Sequence, residues 1–136
     1  MGFFDKLKGA VGVGQPKVEL ELAQKTVSRG DSVQATVNVV GGARELAMKE
    51  CGISIYRVQK YKDANGSTKR DRKRIYRDVK DLGGDVLTEG DKKTWEFTAE
   101  LPTSLSKSGG EISYQVVGFL DVPGMDPENK QELIVN

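Results

Sequence analysis

The sequence predicts an all-β protein built as an antiparallel β-sandwich. Two observations support this: short runs in which apolar and polar residues alternate, and turn-forming residues between those runs. An alternation with a period of two buries one face of a strand and leaves the other in water. About eight such runs with little helix favour a sandwich over an arrangement of alternating strands and helices.

The composition is that of one globular domain. With 136 residues, 37% of them apolar and 30% charged, the chain has the size and polarity of an ordinary single domain. No apolar run approaches the ~20 residues of a membrane span, and the first residues lack the apolar core of a secretory signal. The single cysteine, Cys51, agrees with a reducing compartment. We therefore predict a cytoplasmic protein, with peripheral membrane contact as an alternative.

Residues 1–14 predict a short amphipathic helix and a hinge, ahead of a sandwich domain at residues 15–136. Four apolar residues have the spacing of one helical face: Phe3, Phe4, Leu7 and Val11. Adjacent phenylalanines are costly to leave in water, so we predict that Phe3, Phe4 and Leu7 contact a partner. That partner is the protein's own sandwich or a second copy, and shallow insertion into an anionic membrane is the alternative.

The first strands are predicted between residues 17 and 42. Val18, Leu20 and Leu22 alternate with charged residues, and a second run alternates with polar ones at Val33, Ala35, Val37 and Val39. Between the runs, Ser28-Arg29-Gly30-Asp31 has the composition of a tight turn. Arg-Gly-Asp is also a cell-adhesion tripeptide, but the turn is the favoured interpretation.

The middle of the chain predicts a long β-hairpin. Residues 46–62 form a long strand whose alternation slips near Tyr56, as a β-bulge would cause. Residues 63–67 have strong turn chemistry at Asn65-Gly66, and residues 68–80 return as a basic strand. A shorter run near Val86 and Leu87 follows.

The last third of the chain predicts three further strands. Trp95, Phe97, Ala99 and Leu101 alternate and are predicted to face the core. A second alternating run comprises Ile112, Tyr114, Val116, Gly118, Leu120 and Val122. A last strand is predicted from Leu133 to Val135.

Charge is unevenly distributed along the chain. By residue count, residues 1–56, 57–80 and 81–136 carry net charges of +1, +7 and −7. The two basic strands on either side of the Asn65-Gly66 turn would form a dense positive ribbon. On the first strand its cations are Lys60 and Lys62. On the second strand they are predicted to bind a partner and comprise Lys69, Arg70, Arg72, Lys73, Arg74 and Arg77.

Three interpretations of this ribbon are open. The favoured one is a solvated edge, neutralised in part by the acidic last block, because charges on edge strands prevent aggregation. The second is contact with an acidic protein partner, including a second copy in a homodimer. The third, favoured least, is binding of nucleic acid or anionic lipid, with Tyr56, Tyr61 and Tyr76 as stacking surfaces.

No constellation of residues predicts catalysis. The chain has no histidine, the commonest general base and metal ligand. Four acidic residues near the end of the chain have the carboxylate oxygens that a hard cation prefers: Asp121, Asp126, Glu128 and Glu132. Their spacing is not that of an EF-hand loop, and a solvated acidic turn is the favoured interpretation. Cys51 is predicted to be a buried, inert thiol. We predict a non-enzymatic protein without metal or cofactor.

Three local patterns resemble a known family. The chain opens with GFFDKLKGAVGVG leading into KVELEL, continues with KTVSRGDSVQATVNVVGG, and closes with ISYQVVGFLDVPGMDPENKQELIV. In this order they are similar to the bacterial and archaeal sporulation-control family, whose members have an arrestin-like fold. The similarity covers most of the chain. It corresponds to only one arrestin-like domain, whereas family members commonly continue into a second such domain. Residues 60–90 match least.

This resemblance implies a regulatory protein that works by protein–protein contact, near the membrane or cytoskeleton in some relatives. It implies no catalytic residues. We therefore predict a regulatory or scaffolding domain that binds a protein partner by strand addition at an exposed edge or through the basic hairpin. The alternative is a peripheral adaptor that binds anionic membrane or nucleic acid through the hairpin at residues 57–80.

Overall fold

The computed structural model describes residues 15–136, and these form two packed β-sheets. The predicted all-β sandwich is confirmed. The helix and hinge predicted at residues 1–14, with Phe3, Phe4 and Leu7, lie outside the described residues. The strands are β1 (Lys17–Leu22), β2 (Thr26–Val27), β3 (Ser32–Val40), β4 (Leu46–Lys62), β5 (Thr68–Leu87), β6 (Lys92–Glu100), β7 (Ile112–Asp121) and β8 (Glu128–Val135).

A three-stranded sheet with the order β1-β3-β6 packs on a five-stranded sheet with the order β2-β8-β7-β4-β5. The alternating apolar residues of both sheets point into the space between them, and side chains such as Leu20, Val37 and Ile53 have no exposed area. The sheets approach closely at Gly118, where an added Cβ would lie 3.2 Å from Val37. The predicted core positions are therefore confirmed, with Leu22 and Trp95 only partly buried at the margin.

The connection between the first two long strands differs from the prediction of an entirely antiparallel sandwich. β1 and β3 do pair antiparallel, but between them the chain crosses to the other sheet. There Thr26 and Val27 pair in parallel with Ile134 and Val135. A two-residue strand shows no alternation in the sequence, and its position follows from Val27, which is buried in the core. The predicted turn follows it, with the Asp31 N–H donating to the Ser28 carbonyl at 3.1 Å.

Two strands are longer than predicted. β5 continues through residues 81–85 without a break, and the register with β4 shifts between Met48 and Glu50 to accommodate the extra residues. β8 begins at Glu128 instead of Leu133. The first part of β8 has polar residues on both faces, which hid it in the sequence. One of them, Gln131, donates its side-chain amide to the Leu20 carbonyl of the other sheet at 2.5 Å.

Candidate functional site: the basic hairpin

The basic hairpin comprises residues 57–80, the distal parts of β4 and β5 with the turn between them. Asp63 closes the turn because its Oδ1 accepts hydrogen bonds from the backbone N–H groups of Asn65 at 2.9 Å and Ser67 at 3.0 Å. Gly66 has a φ of +80°, in the left-handed region that favours glycine. The predicted hairpin turn is therefore confirmed at Asp63–Ser67.

The hairpin lies at the margin of the larger sheet and extends beyond it. β5 is the last strand in the sheet order, so no described strand pairs with its outer edge. On the other side, the pairing of β4 with β7 ends at Gln59 and Ile112. Beyond that point residues 60–62 and 68–70 form a two-stranded ribbon with both faces exposed.

The register of β4 and β5 assigns each basic side chain to one of two faces. Residues directly opposite one another in an antiparallel pair share a face. The outer face, which points away from the three-stranded sheet, contains the pairs Tyr56–Arg74, Val58–Arg72 and Lys60–Arg70. The inner face contains the pairs Arg57–Lys73, Gln59–Asp71 and Tyr61–Lys69. On β5 the arginines therefore lie on the outer face, and the lysines at 69 and 73 lie on the inner one.

A β-bulge extends the row of arginines. The register shifts between Ile55 and Tyr56, so Ile75 has no direct partner on β4. After this shift Arg77 lies opposite Ser54, on the same face as Arg74, although the two arginines are an odd number of positions, three, apart in sequence. The bulge that the sequence predicted near Tyr56 is confirmed. We call the resulting set the arginine row: Arg70, Arg72, Arg74 and Arg77.

Few of the hairpin cations are neutralised within the chain. Arg77 forms an ion pair with Glu50 at 2.9 Å, and Lys69 lies 3.9 Å from Asp63. The guanidinium of Arg72 stacks on the Tyr56 ring, 3.6 Å from its centroid. Within residues 15–136, no carboxylate oxygen lies within 4.0 Å of the other hairpin cations, which are Arg57, Lys60, Lys62, Arg70, Lys73, Arg74 and Lys80.

The acidic residues are located mainly at the opposite end of the sheet. Asp121 pairs with Glu50 near the start of β4, and twelve residues of extended strand, about 40 Å, separate that position from Lys62. Asp126 is exposed, and a partial loss of hydration, a hydrogen bond with Asp121 and the nearby charges of Asp121, Glu128 and Glu50 raise the pKa of its carboxyl group. Asp121 and Asp126 are therefore far along the strands from the tip of the hairpin, whereas Glu111 and Glu132 lie beside its base.

The three tyrosines predicted as stacking surfaces do not share a face. Tyr56 lies on the outer face, where Arg72 covers its ring. Tyr76 points inward and donates its hydroxyl to the Thr98 carbonyl at 3.2 Å. Tyr61 lies on the inner face and is 50% exposed. A continuous platform for stacked bases is therefore absent from the described hairpin.

A shallow groove of about 280 Å³ lies beside the hairpin on the outer face. Lys60 and Arg70 line one side of it, and Gln115, Lys130 and Glu132 line the other. The backbone N–H of Lys60 donates to the Glu111 carbonyl at 2.8 Å, which fixes the loop before β7 against the base of the hairpin. The strand order brings Lys130 to this groove, where its Nζ lies 3.6 Å from Oε1 of Glu128. Sequence reasoning missed Lys130 because it lies fifty-six residues after Arg74.

The other candidate sites have structural roles. Cys51 is fully buried, and burial raises the pKa of its thiol to about 12, so the prediction of a buried thiol is confirmed. Among the described residues, no group of three or more histidine, cysteine or acidic side chains is arranged to hold a metal ion. No helix capable of spanning a bilayer occurs in residues 15–136.

Comparison with known proteins places this fold and this sequence in a family. A family model described as SpoOM protein matches residues 4–136. The chain belongs to the Spo0M family. The predicted resemblance to the sporulation-control family is thus confirmed, over nearly the whole chain.

Spo0M of Bacillus subtilis, compared by sequence and by crystal structure, shows how far the similarity extends. The sporulation-control protein Spo0M of strain 168 is 27% identical over 124 residues, which cover 91% of this chain and 47% of that protein. The crystal structure of Spo0M superposes with a TM-score of 0.77 at 22% identity, covering 91% of this chain and 50% of the other. That structural match shows the arrestin-like fold. The chain spans about half the length of the relatives it matches.

Proposed function

We propose that this protein is a non-enzymatic regulator that binds a protein partner through the basic hairpin. Its relative in Bacillus subtilis is named a sporulation-control protein, which supports a regulatory role. The observation that carries the proposal is the concentration of unneutralised cations on a protruding edge of the sheet. A surface that the folded chain leaves charged attracts a partner of opposite charge and orients it.

A protein partner fits the hairpin better than a nucleic acid does. Non-specific binding of single strands combines cations with aromatic rings on which successive bases stack. Here the tyrosines face different directions, and the ring of Tyr56 is already covered by Arg72. The amino-terminal segment, with Phe3, Phe4 and Leu7, is proposed as an additional anchor on its sequence alone, either to the sandwich, to a second copy or to an anionic membrane.

The proposal is tested by site-specific photo-crosslinking in the cells that make the protein. A photoreactive residue replaces Tyr61 on β4 within the hairpin or, as a matched control, Val86 on β5 outside the hairpin. The two side chains are similarly exposed, at 50% and 53%. We expect a defined protein adduct from position 61 that is absent from position 86. The adduct should disappear in the charge-reversed variant R70E/R72E/R74E.

Two results would contradict the proposal. One is an adduct at position 61 that persists unchanged after charge reversal, provided that the variant retains the thermal stability of the parent. The other is a protein that gives no adduct and binds heparin or anionic vesicles at physiological salt through the same arginines. That second outcome would assign the hairpin to nucleic acid or lipid instead.

A further inference from the structure

We propose that the outer edge of β5 binds an extended acidic segment of another protein as an added strand. In that segment, carboxylates at every second position would contact the arginine row. This inference rests on the proposed function, because it specifies the chemistry of the partner that the hairpin binds.

The edge available for strand addition includes the seven residues 68–74 of β5. No described strand lies beside residues 68–74 on the side away from β4. These residues are exposed without exception. An edge strand presents unpaired backbone N–H and C=O groups, which an incoming peptide can satisfy by β-augmentation. The backbone supplies affinity in this mode, and the side chains on the two faces supply specificity.

The arginine row has the repeat of a β-strand. Arg70, Arg72 and Arg74 occupy alternate positions, which in an extended chain lie about 6.7 Å apart. A strand added beside β5 has the same repeat, so its alternate side chains stay in register with the arginines along the whole contact. A segment with carboxylates at positions i, i+2 and i+4 would thus place each one beside a guanidinium.

Arginine is the cation suited to this contact. Its planar guanidinium binds a carboxylate through two parallel N–H groups, whereas lysine acts as a point charge. The Tyr56 ring holds Arg72 in a fixed orientation, which reduces the conformational entropy lost on binding. The opposite face of the strand differs, since Asp71 separates Lys69 from Lys73 there. The acidic side chains of the partner should therefore point to the outer face.

The test uses synthetic peptides that differ only in the order of their residues. The alternating peptide TETETETET and the block peptide EEEETTTTT have the same net charge and composition, so neither of these properties distinguishes them. We expect the alternating peptide to bind about tenfold more tightly in fluorescence anisotropy, because only it can present all its carboxylates on one face. N-methylation of alternate backbone amides on the pairing side should abolish this preference.

Matched variants test which face is used. R70Q/R74Q removes two exposed cations from the outer face, and K69Q/K73Q removes two exposed cations from the inner face. We expect the first pair to weaken binding of the alternating peptide about tenfold and the second about twofold. Hydrogen exchange should show new protection of β5 backbone amides between residues 68 and 74 when the peptide is bound.

Several outcomes would overturn the inference. Equal affinity for the alternating and block peptides would show attraction by charge alone, as would equal effects of the two pairs of substitutions. A concentration-dependent oligomer that R70Q/R74Q dissociates would make a second copy of this chain the occupant. If the crosslink at position 61 persists while the alternating peptide fails to bind, the hairpin still binds a protein, but not an acidic strand at this edge.

Discussion

The contact between Arg72 and Tyr56 allows a quantitative prediction about the outer face of the hairpin. The guanidinium carbon lies 3.6 Å from the ring centroid, in the range of a strong cation–π contact. Tyr56 is half-buried and Arg72 is exposed, so water screens the contact in part. Exposed contacts of this type contribute about 0.5–1 kcal/mol, and we expect a coupling energy in that range.

A double-mutant cycle measures this coupling directly. The variants are Y56L, R72Q and their combination, and the free energy of unfolding is obtained from urea titrations. Y56L keeps an apolar side chain, and R72Q keeps most of the aliphatic stem, so both remove mainly the contact itself. A coupling of this size corresponds to a shift of a few degrees in Tm for a chain of this length.

The inner face offers a matched control. Arg72 reaches Tyr56 diagonally across the two strands, whereas Tyr61 and Lys69 lie directly opposite one another. Both Tyr61 and Lys69 are exposed, and no stacked contact joins them. The cycle through Y61L and K69Q should give a coupling close to zero. Equal couplings in the two cycles would refute the reasoning, because the effect would then come from strand pairing in general and not from the stacked guanidinium.

Three further predictions concern stability and reactivity. Y114F removes the buried hydroxyl that donates to the Ser106 carbonyl at 2.6 Å. Urea titration should show that the free energy of unfolding falls by about 1–2 kcal/mol. An unchanged midpoint of unfolding would contradict this. D126N should raise Tm at neutral pH: the pKa of Asp126 is raised in the folded state, so its carboxylate destabilises the fold as pH rises through that pKa. The gain should vanish near pH 3, where Asp126 is protonated in both states, and a constant gain would show another cause. Burial raises the pKa of the Cys51 thiol to about 12. The thiol should therefore not react with Ellman's reagent at pH 8 until urea unfolds the protein. Rapid labelling of the folded protein would contradict this prediction.

The long strands were predictable because their chemistry is local. Alternation identified β3, β4, β6 and β7, and the slip near Tyr56 identified the bulge that the register confirms. Turn chemistry placed the hairpin tip at Asp63–Ser67. Each of these signals lies within a few residues of the feature it predicts, so a single sequence suffices to read it.

Other elements depend on residues distant in the sequence and were missed. β2 has two residues and is recognisable only through its parallel pairing with the end of β8. The first part of β8 is polar on both faces, because Gln131 satisfies a carbonyl of the other sheet instead of filling the core with an apolar side chain. Neither environment is visible in a local pattern.

The sequence by itself determined that this chain is a β-sandwich with a strongly basic hairpin, because strand periodicity, turn residues and charge are properties of neighbouring positions. Only the tertiary structure decided how that charge is presented. The strand order makes β5 an edge, and the bulge at Ile75 brings Arg77 into line with the other arginines of that strand. On β5 the register directs Arg70, Arg72 and Arg74 to one face and Lys69 and Lys73 to the other. Within the acidic last block, which the sequence offered as a neutralising partner, Asp121 and Asp126 lie at the other end of the sheet, and Glu111 and Glu132 lie beside the base of the hairpin without an ion pair to it. Distance in the folded chain, and not net charge, therefore leaves the hairpin positive.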